Sequence, residues 1–227
     1  MENPKIDLAV RTRVMPDSEI LKLFKEGEIG CILDWEVRDG LFQPDGKLVE
    51  VGKKKAESFL VQFMEYLWAC MNGISTQSGM LSKRTDGTFN TIQMGQKGGI
   101  IGGGAGSILD GIIVGSGIAA AQVTDFVIQT IINHGAGAGQ LNYGAVSFGA
   151  PAADATTSQY TITRNFANAS GGGVTVNEIG LYVNYVNNYQ TSLPNNYFMW
   201  LHDVIAGGIV VNNGQTLTIN YRPQAVI

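Results

Sequence analysis

Charge is what this sequence lacks, and the lack is one-sided. From Ile100 to Ile227 there are seven charged residues: Asp110, Asp125, Asp154, Arg164, Glu178, Asp203 and Arg222. Thirteen of the 15 Lys and Arg and 14 of the 19 acids lie before Ile100. The charged fraction of the whole chain is 15%, against about a quarter in ordinary soluble domains. So few ions solvate an exterior poorly, so more than half of the protein is expected to lie against other protein surface. That points to an assembly subunit ahead of an enzyme. The net charge of −4 also argues against duplex DNA as a main partner, since phosphate neutralisation calls for a basic face.

Other shortages exclude further classes. There are two cysteines, Cys31 and Cys70, in apolar contexts without metal-ligand spacing, so buried reduced thiols are expected instead of a disulfide scaffold or a metal site. No uninterrupted apolar run approaches the ~18 residues of a membrane helix. The stretch from Gly99 to Ala121 is apolar but broken by many glycines and Asp110, and reads as loop and strand. The opening Met-Glu-Asn-Pro-Lys has no apolar core of the secretory type.

What is present is mostly β pattern. An alternating run from Ile6 to Val14 precedes a helix with Ile20, Leu21, Leu23 and Phe24 on its apolar face, capped by Asp17 or Ser18 and ended by Gly27. From Glu28 to Asp39 the chain alternates, with Ile29, Cys31, Leu33, Trp35 and Val37 on one face. Pro44-Asp45-Gly46 is a turn, and Lys47 to Val51 returns as the second strand of a hairpin. Lys53-Lys54-Lys55 reads as a solvated approach to a helix over Ala56 to Met71, in preference to a phosphate contact; Phe59, Leu60, Phe63, Leu67 and Cys70 recur there at helical spacing. One strand is expected at Thr88 to Met94. Glycine-dense residues Gly98 to Gly106 read as an irregular loop or linker.

Beyond it, strands are expected over Ile108–Val114, Phe126–Ile132, Gln140–Gly149, Gln159–Asn168, Val174–Val186, Tyr197–Ile205 and Thr216–Arg222, the second of these competing with a helical turn. Ser170–Gly173 and Asn212–Gly214 are turns of hairpin quality. The reading is a mainly β protein: a smaller α+β part over residues 1–97, then an antiparallel, jelly-roll-like β-sandwich over 98–227.

Motifs that carry chemistry are scarce. The glycine cluster has neither the Gly-Lys-Ser/Thr of a P-loop nor the following helix and closing acid of a dinucleotide fold. His134, before the Gly135–Gly139 loop, suits a structural hydrogen bond better than a catalytic base. His202 and Asp203 are sequence neighbours, but adjacent strand residues face opposite ways, so they form no relay by themselves. No Gly-x-Ser-x-Gly elbow accompanies them, and Cys31 lies in an apolar strand that leaves a thiol inert. The acids are scattered singly, unlike a glycosidase pair or a calcium loop. No catalytic, cofactor-binding or metal-binding residue is therefore assigned, and no cofactor is expected. The isolated charges Arg164 and Glu178 lie in apolar strands joined by a short glycine turn, and each needs a partner. A cross-strand Arg164–Glu178 pair is the expected solution.

Several segments resemble structural proteins of tailed-bacteriophage virions. They are Ile113-Val114-Gly115-Ser116-Gly117, His134-Gly135 through Asn142-Tyr143, Thr161 to Phe166, Asn177-Glu178-Ile179-Gly180-Leu181-Tyr182, and the closing Gly214 to Tyr221. The strand with Trp35 and Arg38-Asp39, and Ser58-Phe59 after the lysines, are similar too. His202-Asp203 departs, because such proteins often carry Arg-Asp there. The resemblance covers most of the chain and implies a virion component of head, neck, tail or fibre base. A virion subunit that binds copies of itself and other virion proteins is the leading expectation, with no sequence-specific nucleic acid, membrane or small-molecule substrate. The alternative is a receptor- or glycan-binding module that uses Tyr185, Tyr189, Tyr197 and Trp200 as stacking surfaces.

Overall fold

A computed structural model describes residues 11–13, 19, 22–25, 28–57, 59–72, 80–92, 97–186 and 196–226. In chain order, β1 (Arg11–Arg13), β2 (Ile29–Asp39) and β3 (Leu48–Lys55) come first, followed by helix α1 (Val61–Met71). Then come β4 (Met80–Lys83), β5 (Phe89–Ile92), β6 (Lys97–Ile100) and β7 (Gly111–Gly115). Short strands β8 (Asn142–Tyr143), β9 (Ser147–Phe148), β10 (Ala152–Ala153) and β11 (Thr157–Gln159) lead to β12 (Ile162–Ala167). The chain closes with β13 (Val174–Val186), β14 (Asn196–Val211) and β15 (Gln215–Val226).

The protein is mainly β and forms a sandwich. The larger sheet, of nine strands among the described residues, is centred on β15, with β2 along one edge and β12 and β11 along the other. The smaller, four-stranded sheet has β13 at its middle, β14 on one side and β7 and β6 on the other. Period-2 alternation decides what faces inward. Leu33, Trp35 and Val37 of β2, Ile162 and Phe166 of β12, and Leu217, Ile219 and Tyr221 of β15 are buried. They belong to one core with Ile179, Leu181 and Val183 of β13 and Ile112 to Val114 of β7.

The change of charge near residue 97 marks no break in this framework. β2 pairs with β15 from Ile29–Ala225 to Asp39–Gln215, and Leu33, Trp35, Val37 and Leu60 share the core of the later strands. Charge reports what surrounds a surface; strand pairing reports which edges meet. The two turns of hairpin quality differ from expectation as well. Each carries the chain from one sheet to the other, because β12 and β15 pair in the larger sheet while β13 and β14 pair in the smaller. Asn168 ties the two corners together: its amide donates to Gly172 O and Val211 O, and Gly214 N donates to Asn168 O.

Near the start of the chain, β3 runs on through the three lysines instead of ending at Val51. α1 begins at Val61, later than the apolar periodicity suggests. Before it, Phe59 bridges to Leu201 and Leu60 N donates to Trp200 O, so this backbone is spent on the β14 edge. β4 pairs with β5 in a hairpin whose first strand has no sequence signature. Phe126–Ile132 forms no continuous strand; only Ile131 bridges, to Gly115. Most of the helix expected over 17–27 lies outside the described residues.

Candidate functional site

Arg164 and Glu178 do not pair. β12 and β13 are consecutive in sequence but lie in opposite sheets, so no cross-strand register connects them. Each charge is instead enclosed by main chain. The Arg164 guanidinium is fully buried and donates to five carbonyls: Gly144, Asp110, Ile112, Gly104 and Ser107, at 2.7–3.0 Å. All five of its N–H donors are thereby used. The glycine-dense segment expected to be a linker is thus the wall of this cage. A Cβ on Gly103 would meet Asp110 O and the guanidinium. Burial lowers the Arg164 pKa, opposed by Tyr143 and Asp110.

The Glu178 carboxylate is the mirror case. It accepts from the N–H groups of Gly117, Gln129 and Thr130 at 2.8–2.9 Å, which pins residues 116–130 across the outer face of the smaller sheet. Tyr182 Oη fastens the same segment by accepting from Ile128 N. Gly115 and Gly117 leave room: a Cβ on either would lie 2.5 Å from Glu178 Oε1. Two of the segments that carry the resemblance, 113–117 and 177–182, therefore meet at this carboxylate, with Gln129 and Thr130 supplying its other backbone donors. An isolated acid in an apolar strand together with a Gly-x-Gly elsewhere was its only sequence signal.

Behind Glu178 stands His202. Its Nε2 lies 3.3 Å from Glu178 Oε2 and its Nδ1 2.7 Å from Asp125 Oδ2. Two carboxylate acceptors call for both ring nitrogens to donate, so the imidazolium fits the site. Burial opposes that charge, and the bonds to Glu178 and Asp125 outweigh it, raising the His202 pKa. Burial likewise works against the Glu178 charge, and the bonds from His202, Thr130, Gln129 and Gly117 outweigh it, lowering its pKa.

Asp203 points the other way from His202, as strand alternation requires. It is buried between the sheets, where Oδ2 accepts from Tyr221 Oη at 2.9 Å and Oδ1 from Glu57 N at 2.7 Å. Lys54 Nζ lies 3.4 Å from Oδ1, so the middle lysine of the basic run serves an interior acid. Burial raises the Asp203 pKa, against the pull of Lys54, Glu57 N and Tyr221.

His134 Nδ1 accepts from Tyr143 N at 3.1 Å. Cys31 and Cys70 are free thiols, and burial pushes Cys31 well up from its ordinary value. Tyr185 is buried beside Phe198, and the half-buried Trp200 packs on Phe63 and Tyr66. Tyr197 is half-buried, and Tyr189 lies outside the described residues. Among the described residues no group of three His, Cys, Asp or Glu is arranged to hold a metal ion, and no helix is long and apolar enough to cross a membrane.

These cages decide what the later surface presents. Arg164, Glu178 and Asp203 are buried; Asp110, Asp125 and Arg222 are half-buried and bonded. Asp154 is the one exposed charge of the seven after Ile100. Exposed large apolar side chains stand on the same stretch: Leu109, Ile118, Val123 and Phe148. No family model, curated protein or solved structure matches the chain.

Proposed function

We propose that this chain is a structural subunit of a bacteriophage virion, assembling through low-charge β surfaces into a ring, trimer or lattice contact of head, neck or tail. One observation carries the reading: residues 101–186 and 196–226 expose a single charged side chain, Asp154, while Ile118 is 78% and Phe148 54% exposed. Obligate interfaces have this character, being apolar at their centre and often exceeding about 2,000 Å². Neutral Asn and Thr side chains supply hydrogen bonds across such contacts without the desolvation cost of ions. The resemblance to phage virion proteins supplies the particle. The partners are copies of this chain and other virion proteins, and the role is non-enzymatic.

Native mass spectrometry of the purified chain tests the proposal. A defined oligomer that Ile118→Lys and Phe148→Lys dissociate supports it. A monomer at high concentration, with those surfaces accessible in assembled particles, overturns it.

A further inference from the structure

The outer face of the larger sheet carries a groove of about 330 Å³ beside the β2–β3 loop, within the ~300–1,000 Å³ range of small-ligand clefts. Its floor comes from strands paired on both sides: Thr163 and Asn165 of β12 and Thr218 of β15. One wall is Glu36 and Arg38 of β2, joined in a two-bond fork at 3.0 Å each. The other is Phe42.

Phe42 is an unusual residue to find there. Among the described residues it is the one non-glycine with positive φ, at 56°. A bulky side chain in the left-handed region is strained, and such strain persists where the surroundings enforce it, commonly at ligand clamps. The surroundings do enforce it. Phe42 N donates to Thr216 Oγ1 at 2.7 Å, and that hydroxyl donates to Gly40 O at 2.7 Å. Arg38 Nη1 holds the far side of the loop through Gly46 O. Glycine would occupy the position without strain, so what phenylalanine adds is its ring, 46% exposed at the lip of the groove. A second group is unspent: Asn165 Oδ1 is shielded from solvent and has no hydrogen-bond partner.

We propose that this groove binds a neutral saccharide. The Phe42 ring stacks on the apolar face of a sugar ring, the Asn165 side chain turns its amide to meet one hydroxyl, and the Glu36–Arg38 fork receives others. The chemistry selects this class in three ways. The charges lining the groove cancel within one ion pair, leaving none for an acidic or basic ligand. The floor is hydroxyl and amide, which suits a polyol and repels a lipid tail. The floor strands are paired on both edges, so a peptide finds no free backbone to extend. The proposal stands independently of the assembly reading, since it concerns a groove within one chain.

A glycan array carrying neutral and acidic saccharides, probed with the full-length protein, tests it, with calorimetry on the best neutral sugar. Binding to neutral glycans is expected, weakened at least about tenfold in Phe42→Gly and in Asn165→Ala and kept within a few-fold in Phe42→Tyr. Phe42→Gly removes strain along with the ring, so its melting temperature should match or exceed that of the parent. Absence of glycan binding by the parent protein overturns the proposal. So does a preference for acidic glycans, or affinity that survives intact in Phe42→Gly.

Discussion

Tyr221 on β15 and Asp203 on β14 join the two sheets through their interior: the phenol donates to the carboxylate at 2.9 Å, with both residues fully buried. The same hydroxyl lies 3.3 Å from Ile179 O. With the bonds from Arg164 to Ile112 O and from Tyr143 Oη to Val114 O, which also cross between the sheets, this bond helps fix how one sheet sits over the other. Tyr221→Phe should cost about 1.5–3 kcal/mol, the range for a bond to a charged group whose partner is left buried. Chemical denaturation of both proteins checks it; an unchanged midpoint would show that this bond adds nothing to the joining of the sheets.

Arg164 is the test of the first cage. Arg164→Lys keeps the charge but brings three donors to five carbonyls. A loss of about 2–5 kcal/mol is expected, because at least two buried carbonyls are left without a donor. Hydrogen exchange should show the effect over residues 103–112 before the rest of the sandwich. Uniform exchange across the chain would contradict a local clamp.

Gly115 tests the second cage without touching a charge. A Cβ there meets Glu178 Oε1 at 2.5 Å and Thr130 O at 2.6 Å. The carboxylate is held by three N–H groups and the other oxygen is main chain, so Gly115→Ala should destabilise by about 1–3 kcal/mol, the scale of overpacking. A thermal melt checks the direction.

The Glu178–His202 contribution to stability depends on pH in opposite senses on its two sides. His202 has a raised folded pKa, so its contribution is complete below its ordinary value of 6.5 and is lost as pH rises through the raised value. Glu178 has a lowered folded pKa, so its contribution is complete above its ordinary 4.5 and is lost as pH falls through the lowered value. The difference in unfolding free energy between the parent and His202→Gln should therefore shrink on the alkaline side. A difference that stays constant from pH 6 to 9 would mean that His202 is neutral in the fold.

Much of the β framework was legible in the residues. The span of β13 matches the sequence reading, and β2, β12 and β15 match it with ends shifted by a few residues, because alternation of Leu33, Trp35 and Val37, or of Leu217, Ile219 and Tyr221, is a local property of a half-buried strand. The opposed directions of His202 and Asp203 followed from the same rule. The groove beside Phe42 left no trace, since nothing in Gly40-Leu41-Phe42 announces a left-handed phenylalanine. The pairing across residue 97 left no sequence signal, because β2 finds its partner almost two hundred residues away in β15.

From the sequence alone came the β class, the inward faces of the strands and the shortage of charge after Ile100. Those are matters of period and composition, which no distant contact alters. The tertiary structure alone decided where the few charges go. Arg164 and Glu178 sit in strands that look adjacent, yet the chain turns a corner between them. His202 apart, their partners are main-chain carbonyls and N–H groups, mostly of irregular loops, which every residue possesses and no residue type signals.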